Sequence, residues 1–273
     1  MLLTAGCSMV YGDELHEENC LKGNSHWPLT FTHKLSESLG IKYSTLSRNG
    51  ASNHLIFRRL IQWFASDPTL CLHHDDSVTP ETCTHMVVLW SEMDRSEVYM
   101  HGNSDYCEDN GLYQVRRAGE HIDTDVVDWD ISDEKKDAIN KYYHQVTKDN
   151  HVSILHLLTY IKTIEQLCKL NNIKLIQAAG DASIRRGIAK SHIKGASNDS
   201  WKFYFSKLIN PLSKTSKIGI TGRVHHGLDF RTFTKQKPNR LLKLGHPNAD
   251  AHAEYAEYLY TIFQENFPEG EKK

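Results

Sequence analysis

The chain carries almost no net charge. Its 32 lysines and arginines and 34 aspartates and glutamates leave a formal charge of −2. That provides no general attraction to nucleic acid or to an anionic membrane surface. No apolar run approaches the roughly 20 residues that a membrane-spanning helix requires. A signal-peptide pattern is lacking, because Leu2-Leu3 gives way to polar residues within a few positions. A cytoplasmic location is therefore expected. The six cysteines, at 7, 20, 71, 83, 107 and 168, include no Cys-x-x-Cys pair. Such spacing disfavours a zinc ribbon or a thioredoxin motif and favours free thiols in a reducing compartment. Internal repeats and low-complexity linkers are missing too.

Histidine is abundant, with 17 in the chain. The run His73-His74-Asp75-Asp76 has metal-ligand chemistry, but four consecutive residues do not converge easily on one ion. That run and His225-His226 read as solvated loops, so neither a metal nor another cofactor is expected. An apolar fraction of 39% over 273 residues suits one α/β domain with an adequate core.

Strand and helix patterns alternate, which predicts a parallel sheet with helices on both faces. Residues 1–5 read as a strand. Trp27, Phe31, Leu35 and Leu39 recur at i+4 spacing and predict a helix over 27–39, ended by Gly40. A second strand is expected over 41–46, and a helix over 53–65 capped by Ser52 or Asn53. The apolar stretch His85–Trp90 reads as a buried strand. Regularity is lost over about 91–149, an acidic stretch read as an insertion or lid. It returns in a helix over 153–170, a strand over 173–178 and a final helix over 249–264. Ala253, Ala256, Leu259, Tyr260 and Phe263 are expected to face inward from that last helix. Between them, 181–216 is irregular and holds an aromatic cluster over 201–205, and 217–221 reads as a short edge strand.

Parallel topology brings the loops after the strands to one sheet edge, where open α/β folds bind ligands. Gly6-Cys7-Ser8 follows the first strand directly, so Ser8 sits where such folds present a nucleophile. Near the other end, Gly245-His246-Pro247-Asn248 precedes the last helix. Together with Arg48-Asn49-Gly50-Ala51-Ser52-Asn53, these blocks resemble the SGNH (GDSL) hydrolase family. They are also similar to divergent members encoded by tailed phages. The resemblance spans nearly the whole chain as separated short blocks. It implies a three-layer α/β/α sandwich over 1–273 with a mainly parallel sheet.

The resemblance also implies an activity: hydrolysis of an ester, such as an O-acyl group on a carbohydrate or lipid. Ser8 would attack the acyl carbon while His246 takes its proton. Ser8 and Gly50 would supply backbone oxyanion donors, with Asn53 as an additional donor. Ser91, Glu92 and Asp13 are expected at the rim of the site. Three positions depart from the family pattern, the first being Cys7, which stands where the family usually has an Asp before the serine. Glu92 falls near the usual oxyanion Asn, and an ionised Glu accepts hydrogen bonds without donating them. Lys243 stands three residues before His246, where the family places an Asp. A Ser-His dyad, or one whose His is oriented by a backbone carbonyl, is therefore expected, acting on a small-molecule or glycan ester. Nucleic acid and membrane partners are not expected, and a protein partner stays open. The alternative is a non-catalytic binding or assembly protein of the same fold.

Overall fold

The computed structural model describes residues 1–20, 25–67, 70, 72–73, 77–92, 95–99, 112–118, 121–123, 150–182, 184–185, 207–220, 229–243 and 245–268. In chain order the first half contains β1 (Leu2–Gly6), α1 (Ser8–Tyr11), α2 (Asp13–Cys20), α3 (Phe31–Leu39), β2 (Tyr43–Thr45), α4 (Asn53–Phe64) and β3 (His85–Trp90). Then come β4 (Arg95–Tyr99), β5 (Leu112–Ala118), β6 (His121–Asp123), α5 (Asn150–Leu170), β7 (Lys174–Ala179), α6 (Phe230–Lys235) and α7 (Ala249–Asn266).

Four strands form a wholly parallel sheet in the order β2-β1-β3-β7. Every residue of β1 is buried, as are Met86 to Trp90 of β3. Burial on both faces explains why these strands read as continuous apolar runs, since helices must cover both sides of a parallel sheet. α3 packs with α7, and α4 packs with α5. The result is a three-layer α/β/α arrangement with a mainly parallel sheet. Phe31, Trp90, Phe230, Tyr255 and Phe263 are the largest fully buried rings. Each contributes roughly 1.5–3 kcal/mol through apolar burial.

The expected helix over 27–39 is broken near its start. Trp27–Leu29 forms a single 3₁₀ turn, and Thr30 then adopts extended backbone and caps α3. The Thr30 hydroxyl accepts the His33 N–H at 3.4 Å. Apolar spacing across Trp27 and Phe31 is blind to this cap, because the spacing survives the change of helix type. Ser52 rather than Asn53 caps α4, its hydroxyl accepting the Leu55 N–H at 3.1 Å. The edge strand expected over 217–221 is reduced to one parallel bridge between Ala178 and Ile218.

On α7, Ala256, Leu259 and Phe263 are buried as expected, whereas Ala253 and Tyr260 are only partly covered. His252 and Tyr255 are fully buried instead. Within 91–149, β4, β5 and β6 form a separate antiparallel sheet in that order. The expected loops His74–Asp76 and His225-His226, the aromatic cluster over 201–205 and the acidic run over 124–130 lie outside the described residues.

Candidate active site

β1 delivers Ser8 to the sheet edge. Cys7 is extended, and Ser8 opens the four-residue α1 immediately after it. Gly6 permits this tight exit: a Cβ there would collide with the Val10 side chain and the Leu89 carbonyl. Gly12 ends α1 at φ +74°, and its N–H donates to the Ser8 carbonyl at 2.8 Å. This left-handed residue redirects the chain into α2, whose second residue is Glu14.

His246 arrives on a folded loop. The Leu242 N–H donates to the His246 carbonyl at 2.7 Å, and the Asn248 N–H donates to the Arg240 carbonyl at 2.9 Å. Asn248 then caps α7 by accepting the Ala251 N–H at 3.0 Å, while its Nδ2 donates to the Asn239 carbonyl at 2.8 Å. The His-Pro-Asn segment is therefore both a helix cap and a loop clamp. These bonds fix the backbone from which the imidazole projects.

Three side chains meet in a line. His246 Nε2 lies 3.0 Å from Ser8 Oγ, and His246 Nδ1 lies 3.1 Å from Glu14 Oε2. Glu14 Oε2 also accepts the His246 main-chain N–H at 2.8 Å. An oxygen that accepts on this side directs the ring hydrogen onto Nδ1. Nε2 is then the acceptor, and the Ser8 hydroxyl donates to it. Glu14 and Ser8 are 6% and 3% exposed, so both ends of this polar line are shielded from water, while the imidazole between them is partly open.

A second imidazole pair steadies α2. His26 Nε2 lies 3.0 Å from the Tyr11 carbonyl, and His16 Nδ1 lies 3.1 Å from His26 Nδ1. A carbonyl only accepts, so His26 carries its hydrogen on Nε2 and His16 donates from Nδ1. This bond ties the helix bearing Glu14 to the segment before α3.

Ser8, His246, Ser91, Glu92, Asp181 and Arg231 line a cavity of about 110 Å³, with Cys7, Met9, Gly180 and Gly245 completing its walls. It lies beyond the carboxyl ends of β1, β3 and β7, the usual ligand edge of such sheets. Glu92 does not face the cavity alone. Arg231 Nη1 is 3.0 Å from Asp181 Oδ2 and 3.6 Å from Glu92 Oε1. The guanidinium offsets the charge that Glu92 brings to the position expected for a neutral donor.

Gly50, Asn53 and Asp13 are not among the cavity-lining residues. Gly50 occupies a left-handed turn after β2 at φ +71°. Asn53 is buried, and its carboxamide brackets Ser91: Oδ1 accepts the Ser91 N–H at 2.7 Å, and Nδ2 donates to the Ser91 carbonyl at 3.2 Å. Both ends of its amide are engaged by backbone, so Asn53 braces the wall beside the cavity. Asp13 begins α2, and its neighbour Glu14 is the acid that reaches His246. The carboxylate beside His246 thus comes from the opposite end of the chain to Lys243, which is exposed.

Glu14, Asp181 and Arg231 were not recognisable from motif spacing. Asp181 follows the last strand of the sheet, a positional signal that was available. Glu14 had only its place beside Asp13 in an acidic helix start. Behind the site, burial depresses His252 to about 3, with nearby His246 and His26 acting in the same direction. Its Nδ1 accepts the Phe31 N–H at 3.1 Å. Burial also raises the Asp229 carboxyl, against the lowering effect of its bond from the Thr232 N–H. Cys7, Cys83 and Cys168 hold free, buried thiols. Among the described residues no group of three or more potential ligands is placed to hold a metal. No described helix is long and apolar enough to cross a membrane.

No family model matches the chain. No curated protein matches it either. Several solved structures resemble it. One is a protein described as lipolytic, of the G-D-S-L family, from Desulfitobacterium hafniense DCB-2. It shares 12% identity at a TM-score of 0.44, over 96% of this chain and 98% of its own. Another is a carbohydrate esterase whose active site displays divergent catalytic and non-catalytic binding functions. It shares 13% identity at a TM-score of 0.42, over 98% of this chain. A third is an acetyl xylan esterase from the rumen bacterium Butyrivibrio proteoclasticus, at 12% identity and a TM-score of 0.44, over 97% of this chain. The chain spans 65% and 63% of the lengths of these two esterases.

Proposed function

We propose that the chain is an SGNH-type serine hydrolase that cleaves an ester through Ser8, His246 and Glu14. The hydrogen-bonded line from Ser8 Oγ through the imidazole to Glu14 Oε2 carries this reading. His246 Nε2 takes the Ser8 proton as Oγ bonds to the acyl carbon. Glu14 holds the ring in the tautomer that leaves Nε2 free to accept, and it stabilises the imidazolium that forms. The Ser8 N–H stabilises the developing oxyanion. When the tetrahedral adduct collapses, the C–O bond to the alcohol breaks and the alkoxide takes the proton from His246. Water, deprotonated by the same nitrogen, then releases the acid and regenerates Ser8.

The cavity's small volume and mostly polar lining favour a short acyl group on a polar alcohol, such as a carbohydrate O-acyl ester. Two carboxylates beside one guanidinium disfavour an anionic substrate. The test is labelling by a serine-reactive fluorophosphonate, combined with a panel of short acyl esters. Wild type should be labelled at Ser8 and should hydrolyse at least one ester, and Ser8→Ala should do neither. Folded wild-type protein that takes no label and turns over no ester would support a non-catalytic binding module instead.

A further inference from the structure

Ser91 is 1% exposed, yet its Oγ finds no hydrogen-bond partner among the described residues. Leaving a buried hydroxyl in that state is costly, and native proteins retain few such groups without a reason. Its surroundings are specific. Gly6 of β1 pairs with Leu89 of β3 in the parallel register. Ser8 and Ser91 thus each follow the carboxyl end of one of two neighbouring parallel strands, β1 and β3. Ser8 and Ser91 line the same cavity, together with His246.

The Ser91 backbone is clamped. Its N–H donates to Asn53 Oδ1 at 2.7 Å, and its carbonyl accepts from Asn53 Nδ2 at 3.2 Å. With the main-chain N–H engaged, the one donor Ser91 offers the cavity is its hydroxyl. Its neighbour Glu92 accepts only, and that charge is offset by Arg231.

Resting on the hydrolase reading above, we propose that Ser91 Oγ–H is the side-chain donor to the oxyanion. It stands in for the carboxamide expected at Glu92 and acts beside the Ser8 N–H. The hydroxyl lacks a partner at rest because its partner is the oxygen that becomes negative when Ser8 attacks. Asn53 is the positioning residue: by gripping both main-chain groups of Ser91, it fixes the donor before charge develops, which is where such donors gain their effect.

The experiment compares wild type, Ser91→Ala and Ser8→Ala in the full chain. It measures kcat and KM on an ester that wild type hydrolyses, the rate of fluorophosphonate labelling, and thermal unfolding. Ser91→Ala should lower kcat by about 100- to 1000-fold with KM little changed, the usual result of removing one oxyanion donor. Labelling at Ser8 should slow but persist. The unfolding midpoint should stay level or rise, because the variant loses an unsatisfied buried hydroxyl and no bond. A merely structural serine would show the opposite sign, with the midpoint falling as activity falls. Ser91→Ala with wild-type kcat, while Ser8→Ala is dead, would overturn the Ser91 assignment and leave the hydrolase reading intact. Wild type that neither labels nor turns over would remove both.

Discussion

Glu14 and His246 stand 232 positions apart in the chain, and Glu14 Oε2 lies 3.1 Å from His246 Nδ1. The carboxylate bonds the ring and its backbone together, so it sets both the tautomer and the position of the imidazole. Glu14→Gln should lower kcat by about 100- to 10000-fold, the range associated with loss of an orienting acid. Lys243→Asp should leave the rate unchanged, because Nδ1 already has its acceptor. Steady-state kinetics on both variants decide the matter. A gain from Lys243→Asp would show that Glu14 is not the working partner.

Arg231 holds two nearly buried carboxylates facing the cavity. Arg231→Gln should slow hydrolysis, because Glu92 and Asp181 would then oppose the developing oxyanion. It should also destabilise the fold by about 1–3 kcal/mol through their lost partner. The double variant Arg231→Gln, Glu92→Gln should recover part of both losses. A double variant no better than the single one would argue against charge compensation between these groups.

Gly6 gives α1 its closeness to the strand end. Gly6→Ala drives a methyl group into Val10 and the Leu89 carbonyl. The expected cost is about 1–3 kcal/mol, typical of overpacking. Displacement of Ser8 should add a loss of activity that persists under conditions where the variant is fully folded. Denaturant unfolding and kinetics on one preparation separate the two effects.

His252 supplies a pH dependence of stability. Its folded value is near 3 against an ordinary 6.5. Above pH 6.5 both folded and unfolded states hold it neutral, and its contribution is fully present. As pH falls from 6.5 towards 3, the unfolded chain takes up a proton that the folded chain refuses. Stability should therefore decline through that window by up to about 1.4 kcal/mol per pH unit for this single group. His85, lowered to about 4 chiefly by burial, acts in the same direction. Unfolding midpoints at pH 7.5, 6 and 5 should fall in that order, and His252→Gln should flatten the trend. An unchanged slope in that variant would assign the acid sensitivity elsewhere.

The parts of the site legible in sequence were those with strong local signals. Ser8 follows a buried strand through a glycine, and His246 sits in a His-Pro-Asn segment before an amphipathic helix. Both placements follow from local turn and cap chemistry. Asn53 stands in a legible turn, but only the packed loop shows its amide turned onto the Ser91 backbone. The sequence does not separate Glu14 from Asp13, because adjacent residues on a helix point about a quarter-turn apart and no local pattern says which faces inward. The strands over 95–99, 112–118 and 121–123 were read as irregular, since they lack the apolar alternation that marks a half-buried strand.

The sequence by itself determined the alternation of strand and helix, the buried character of β1 and β3, and the end of the sheet at which Ser8 would emerge. These depend on the hydrophobic period and on glycine and cap residues a few positions apart, and the chain writes such signals locally. Tertiary structure alone decided which acid meets His246, how the charge of Glu92 is offset, and that the buried Ser91 hydroxyl is left without a partner. Each of these is a contact between segments far apart in the chain, set by how packed elements rotate and approach. A shift of one helix position exchanges Asp13 for Glu14 at the imidazole, and no local pattern in the sequence records that choice.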